Sequence, residues 1–139
     1  MAMLAPAAAL LIGAMPVARL DVSADDLRSA KGVLQICLTA DPDKFPGCVD
    51  DANAVTRTVA AAKGGVRFDG LRPGTYAVSV IHDENGNKKL DTFAGIPREG
   101  FGFSRNPAIR FGPPKFAAAR FAVAGNDAEM QQIKMRYIF

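Results

Sequence analysis

The side chains of this chain best suited to chemistry lie between His82 and Arg105. Asp83, Asn85, Asn87 and Asp91 stand at positions 1, 3, 5 and 9 of a loop, the oxygen-ligand spacing by which a curled chain directs alternate side chains onto one calcium ion. Lys89 would supply the backbone carbonyl at position 7. The pattern departs at two places. Position 6, where glycine allows the sharp turn, is Lys88; position 12, where a bidentate Glu closes the shell, is Ala94, so Glu99 has to reach in instead. The same Asp and Asn side chains serve equally well without metal, because they bond to nearby backbone amides and tolerate left-handed backbone.

His82 is the only histidine and adjoins Asp83. As a general base, oriented by Asp91 or Glu99, it would make the chain a hydrolase. As a side chain at a strand end, it would anchor the loop that follows. No nucleophile accompanies it, since Ser104 lies outside any elbow motif. Further on, Gly95, Gly100 and Gly102 read as sites of positive φ, and Phe93, Phe101 and Phe103 as a small aromatic cluster. The cluster has two readings. It packs the loop onto the domain, or, with Arg98, Glu99, Arg105 and Arg110, it forms a partly exposed surface for a glycan, a peptide or an anionic small molecule. A stretch so rich in aromatic residues is more than a connector, because loops without a task are short and polar.

Short strands must position these groups. From Arg19, Leu20 and Val22 alternate with Asp21 and Ser23. In VLQICLTA, Leu34, Ile36 and Leu38 share one face while Gln35, Cys37 and Thr39 share the other, and the Pro-rich loop after it folds Cys48 back toward that outer face. Ala54–Ala60 alternates weakly, Lys63-Gly64-Gly65 is a turn, and Val66 and Phe68 are in phase. Pro73-Gly74 fits the central pair of a type II turn, after which Tyr76, Val78, Val80 and His82 fall on one face. Ala117–Val123 reads as a strand, with a short helix in Pro113–Ala119 as the alternative. Gly125-Asn126-Asp127 turns into a last strand lined by Ile133, Met135, Tyr137 and Phe139. About seven strands of this kind predict an all-β single domain, a β-sandwich with one long ordered loop.

Composition narrows the setting. A net charge of +3, with signs interspersed and no basic helix, lacks the electrostatic footprint of a nucleic-acid binder. Residues 1–18 carry no charged side chain and read as a secretory signal peptide, although no Lys or Arg forms a positive n-region. Pro6 and Pro16 interrupt the apolar run and argue against a transmembrane anchor. Two cysteines in a small exported chain favour a Cys37–Cys48 disulfide over a metal site. The setting is then the periplasm or the outside of the cell, with residues 19–139 as the folded domain.

The stretch HDENGNKKLDTFAGIPREGFGFSRNP, followed by FGPPKF, resembles the signature of a bacterial family of small exported proteins known as domain of unknown function 2141. The likeness extends upstream through GLRPGTYAVSVIHDENGN and, more loosely, LRSAKGVLQICLTADPDKFPGC. It implies an immunoglobulin-like or transthyretin-like sandwich and brings no activity with it; family members usually carry Gly where this chain has Lys88. Transthyretin-like folds include hydroxyisourate hydrolases, whose C-terminal Tyr-Arg-Gly-Ser is replaced here by Arg136-Tyr137-Ile138-Phe139. The expectation is an exported binding module for an unspecified small molecule, glycan or envelope protein, its loop braced by calcium. A hydrolase using His82 with Asp83 is the alternative. A structural role at the cell envelope, through an exposed C-terminal edge strand, is the second.

Overall fold

The computed structural model describes residues 16–48, 50–87, 92–93 and 96–138. Eight strands form two sheets. The first sheet is three-stranded: β1 (Ala18–Asp25) lies between β4 (Gly65–Leu71), which is antiparallel to it, and β10 (Ala128–Lys134), which is parallel. In the second, β2 (Val33–Thr39) and β5 (Gly74–Asp83) run antiparallel at the centre, flanked by β3 (Val55–Ala60) and β8 (Gly100–Phe103), while β9 (Phe121–Val123) pairs with the start of β5. A two-residue hairpin, β6 (Thr92–Phe93) and β7 (Ile96–Pro97), stands apart. Among the described residues the longest helix is α1 (Phe116–Ala119), so the expected all-β sandwich is the fold observed.

The sheets meet through the side chains whose alternation marked them in the sequence. Leu20 and Val22 of β1, Phe68 of β4 and Ile133 of β10 face Leu34, Ile36 and Leu38 of β2 and Val78 and Val80 of β5, all within one buried cluster. Removing a Leu, Ile or Phe side chain from water contributes about 1.5–3 kcal/mol, so this layer is the main source of stability. β1 begins one residue earlier than its pattern suggested, at buried Ala18.

The outer face of the five-stranded sheet is covered as well. Phe103, Ala77, Phe116 and Ala119 form a second cluster, joined by Phe45 from the loop after β2 and by Phe101 and Ile109. Cys37, on this face of β2, lies at disulfide distance from Cys48, with a Cα–Cα separation of 6.2 Å. The bridge ties the 40–48 loop to the strand it has just left and joins no second sheet, as its position in the pattern indicated. The loop is held further by Ser79 Oγ donating to the Pro46 carbonyl at 2.7 Å.

Local readings needed correction in three places. The expected strand over Ala117–Val123 is split: Ala117–Ala119 belong to α1, within the Pro113–Ala119 alternative, and only Phe121–Val123 pairs, because KFAAAR follows its helix propensity once the prolines end. Gly74 already belongs to β5 and lacks the positive φ that the second central residue of a type II turn needs, whereas Gly70, inside β4, is left-handed at φ 69°, so Pro73-Gly74 is not a type II pair. The last strand ends at Lys134, although Met135 and Tyr137 continue to pack inward.

Candidate site at the base of the long loop

β5 carries the loop. It pairs with β2 on one side, placing Leu34 opposite His82 and Val33 opposite Asp83, and with β8 on the other, placing His82 opposite Gly100. The segment 84–99 therefore leaves and rejoins the sheet on adjacent strands. Asp83 and Glu99, both buried, are the next positions outward from the His82–Gly100 pair.

His82 points into the sandwich and is wholly buried. Its Nε2 lies 2.8 Å from the Lys31 carbonyl, which can only accept, so this nitrogen carries the proton. Its Nδ1 then accepts from the Tyr137 hydroxyl at 2.7 Å. Both ring nitrogens are engaged, and neither faces solvent. Tyr137 meets the imidazole edge to face, with centroids 5.9 Å apart.

Glycine makes room for this contact. A Cβ on Gly100 would lie 2.3 Å from Tyr137 Cε1, and one on Gly102 would lie 2.5 Å from Ile133 Cγ2. Neither residue has positive φ. Their role is close approach of the C-terminal segment to β8, not the backbone freedom expected from the sequence.

A polar clamp closes over Tyr137 from the loop before β2. The Arg28 guanidinium stacks 4.5 Å from the ring centroid, and the Arg28 amide approaches the hydroxyl at 3.3 Å. Arg28 Nε donates to Glu84 Oε1 at 2.6 Å, and Ser29 Oγ donates to Glu84 Oε2 at 2.9 Å. The Arg28 hydrogen bond, more than that of Ser29, holds the Glu84 carboxyl below its ordinary pKa. Burial raises the Tyr137 hydroxyl above its own, keeping it protonated as the donor His82 requires. Gly32, at φ 71°, brings the chain so near that a Cβ there would sit 2.1 Å from the Asp83 carbonyl oxygen.

The residues expected to bind metal divide. Asp83 is buried and accepts from Gln35 Nε2 at 3.1 Å, whereas Asn85 and Asn87 are exposed. The Gly86 amide bonds to the Asp83 carbonyl at 3.3 Å, the Asn87 amide bonds to Asn85 Oδ1 at 3.2 Å, and Gly86 is left-handed at φ 67°, so DENGN forms a turn braced by its own groups. Lys89 and Asp91, with Lys88 and Ala94, lie outside the described residues. Among the described residues no three His, Cys, Asp or Glu side chains gather as a metal cluster.

The expected ligand surface is largely absorbed into packing. Phe103 is 8% exposed and meets Phe45 edge to face at 5.9 Å; Phe101 lies tilted against it at 6.1 Å. Glu99 is buried, while Arg98 and Arg105 are exposed. Ser104 is wholly buried, its Oγ donating to the Ala119 carbonyl at 2.6 Å and accepting from the Val78 amide at 2.9 Å. The edge of β10 is occupied in part, because Asn106 Nδ2 donates to the Gln132 carbonyl at 2.9 Å and Asn106 Oδ1 accepts from the Lys134 amide at 2.8 Å. Sequence reasoning missed Arg28, Glu84 and Tyr137 as partners. Their separations of 56 and 109 residues leave no local signal.

A β-sandwich with a hydrogen-bonded loop base defines a structural class that hosts many functions. The chain belongs to the family described as an uncharacterized protein conserved in bacteria (DUF2141), whose model matches residues 22–131. No curated protein and no solved structure matches it. The matched span takes in the loop and most of its base, and ends before Tyr137. Among the described residues no helix is long and apolar enough to cross a membrane.

Proposed function

We propose that the chain is an exported binding module whose recognition element is the 84–99 loop, held on a fixed polar base and braced by calcium. The observation that carries this reading is the engagement of both His82 ring nitrogens inside the sandwich. A histidine so placed fixes the strand end that launches the loop, and a loop launched from a fixed end loses less entropy when it binds. The Arg28–Glu84 pair secures the first loop residue in the same way. The Asp-x-Asn-x-Asn spacing, which begins at buried Asp83, supports calcium as the brace. Export is supported by the uncharged leader and by the cysteine pair, since disulfides persist outside the reducing cytosol. The immunoglobulin-like or transthyretin-like relationship is part of the same proposal.

Thermal unfolding in EDTA and then in millimolar calcium tests it. A ligand that binds only the folded state stabilises by about 2.7 kcal/mol at a hundredfold excess over Kd. The expected result is a calcium-dependent rise in Tm that Asn85→Ala with Asn87→Ala diminishes. No rise at any calcium concentration would reduce DENGN to a turn braced by its own side chains and remove calcium from the proposal.

A further inference from the structure

Phe111 is entirely exposed, at 103% of its reference area, although the chain on either side of it enters the outer cluster at Ile109 and Phe116. The backbone holds it out: Gly112 has φ 105°, and Pro113-Pro114 fix the course of the chain beyond. The charge along this segment has a single sign. No Asp or Glu occurs from Gly100 to Asn126, whereas Arg105, Arg110 and Lys115 are exposed and, among the described residues, take part in no ion pair. The concavity near the base of the loop, lined by Phe103, Asn106 and Ile109, does not admit a water molecule.

We propose that this loop docks the domain on an anionic phospholipid surface, with Phe111 entering the interface and Arg105, Arg110 and Lys115 facing the headgroups. Charge complementarity selects the partner. A folded protein would have to offer a preformed pocket with an acidic rim, whereas a bilayer deforms around one protruding ring and supplies negative charge on all sides of it. Lys and Arg near such a surface each add to the attraction, which falls off within a Debye length. The inference concerns a different loop from the proposed recognition element and stands independently of it.

The chain contains no Trp, so Phe111→Trp introduces a single reporter at a position where folding does not depend on the ring. With vesicles of phosphatidylglycerol and phosphatidylethanolamine, its emission is expected to shift to the blue and to be quenched by brominated acyl chains. Phosphatidylcholine vesicles should produce neither effect. In co-sedimentation, Arg110→Ala with Lys115→Ala is expected to weaken binding about tenfold or more. Lys63→Ala with Arg67→Ala removes the same formal charge from the turn before β4 and from β4 itself, and should retain binding. Absence of a blue shift on anionic vesicles overturns the proposal, as does equal loss of binding in the two double variants. A shift produced by a soluble acidic peptide or glycan, with none on vesicles, would overturn it in favour of a macromolecular partner.

Discussion

The Tyr137 hydroxyl donates to Nδ1 of His82 across 2.7 Å, joining a residue near the end of the chain to the strand that launches the long loop. Tyr137→Phe removes the donor and leaves a buried nitrogen without its partner. The expected loss is about 1–3 kcal/mol of unfolding free energy, measured by urea denaturation. Wild-type stability in this variant would show that the contact has no part in holding the base together.

Gly100 should admit no side chain while Tyr137 is present, because the added Cβ would lie 2.3 Å from the ring. Gly100→Ala is expected to cost about 1–3 kcal/mol, as overpacking usually does. Combined with Tyr137→Ala, the same change should cost measurably less than it does alone. The non-additivity of this double-mutant cycle is the readout.

Glu84 gives stability an acid-side pH dependence. Its pKa is lowered in the folded state, first by the hydrogen bond from Arg28, so its contribution is present above the unfolded value near 4.5 and is lost as pH falls through the folded value. The carboxylate is partly exposed, which limits the effect to about 0.2–1 kcal/mol. Glu84→Gln should flatten the fall in stability below pH 5 by roughly that amount in urea titrations at a series of pH values.

Reduction of the Cys37–Cys48 pair, which spans a sequence separation of 11, is expected to lower stability by about 2–3 kcal/mol on the chain-entropy model. Hydrogen exchange should rise first in residues 41–48, since the bridge ties that loop to β2. Uniform loss of protection across both sheets would show instead that the loop and the core unfold as one unit.

Much of the fold was legible because burial imposes a two-residue period on half-buried strands. Leu34, Ile36 and Leu38 announced the inner face of β2, and Cys37 its outer face, before any contact was known. The elements that went astray are those governed by tertiary contact. Gly100 and Gly102 looked like backbone hinges, yet they are small because Tyr137 and Ile133 lie against them, and nothing near them in sequence reports that. The same holds at the site. His82 and Asp83 were visible as chemistry-bearing types, whereas the Arg28–Glu84 pair and the Tyr137 hydroxyl that surround them arrive from distant segments. The direction of the His82 ring, inward rather than into the loop, follows from strand register, which the period indicated through Tyr76, Val78 and Val80 but whose partners it could not name.

The central claim, that His82 anchors the loop base, is tested most directly by its imidazole nitrogen shifts in a ¹⁵N-labelled sample at neutral pH. The account predicts a single neutral tautomer with the proton on Nε2, held by the Lys31 carbonyl, and a bare Nδ1 accepting from Tyr137. Tyr137→Phe should move the Nδ1 shift and leave the Nε2 proton in place. Averaged shifts from a ring that exchanges tautomers, unaffected by Tyr137→Phe, would contradict it.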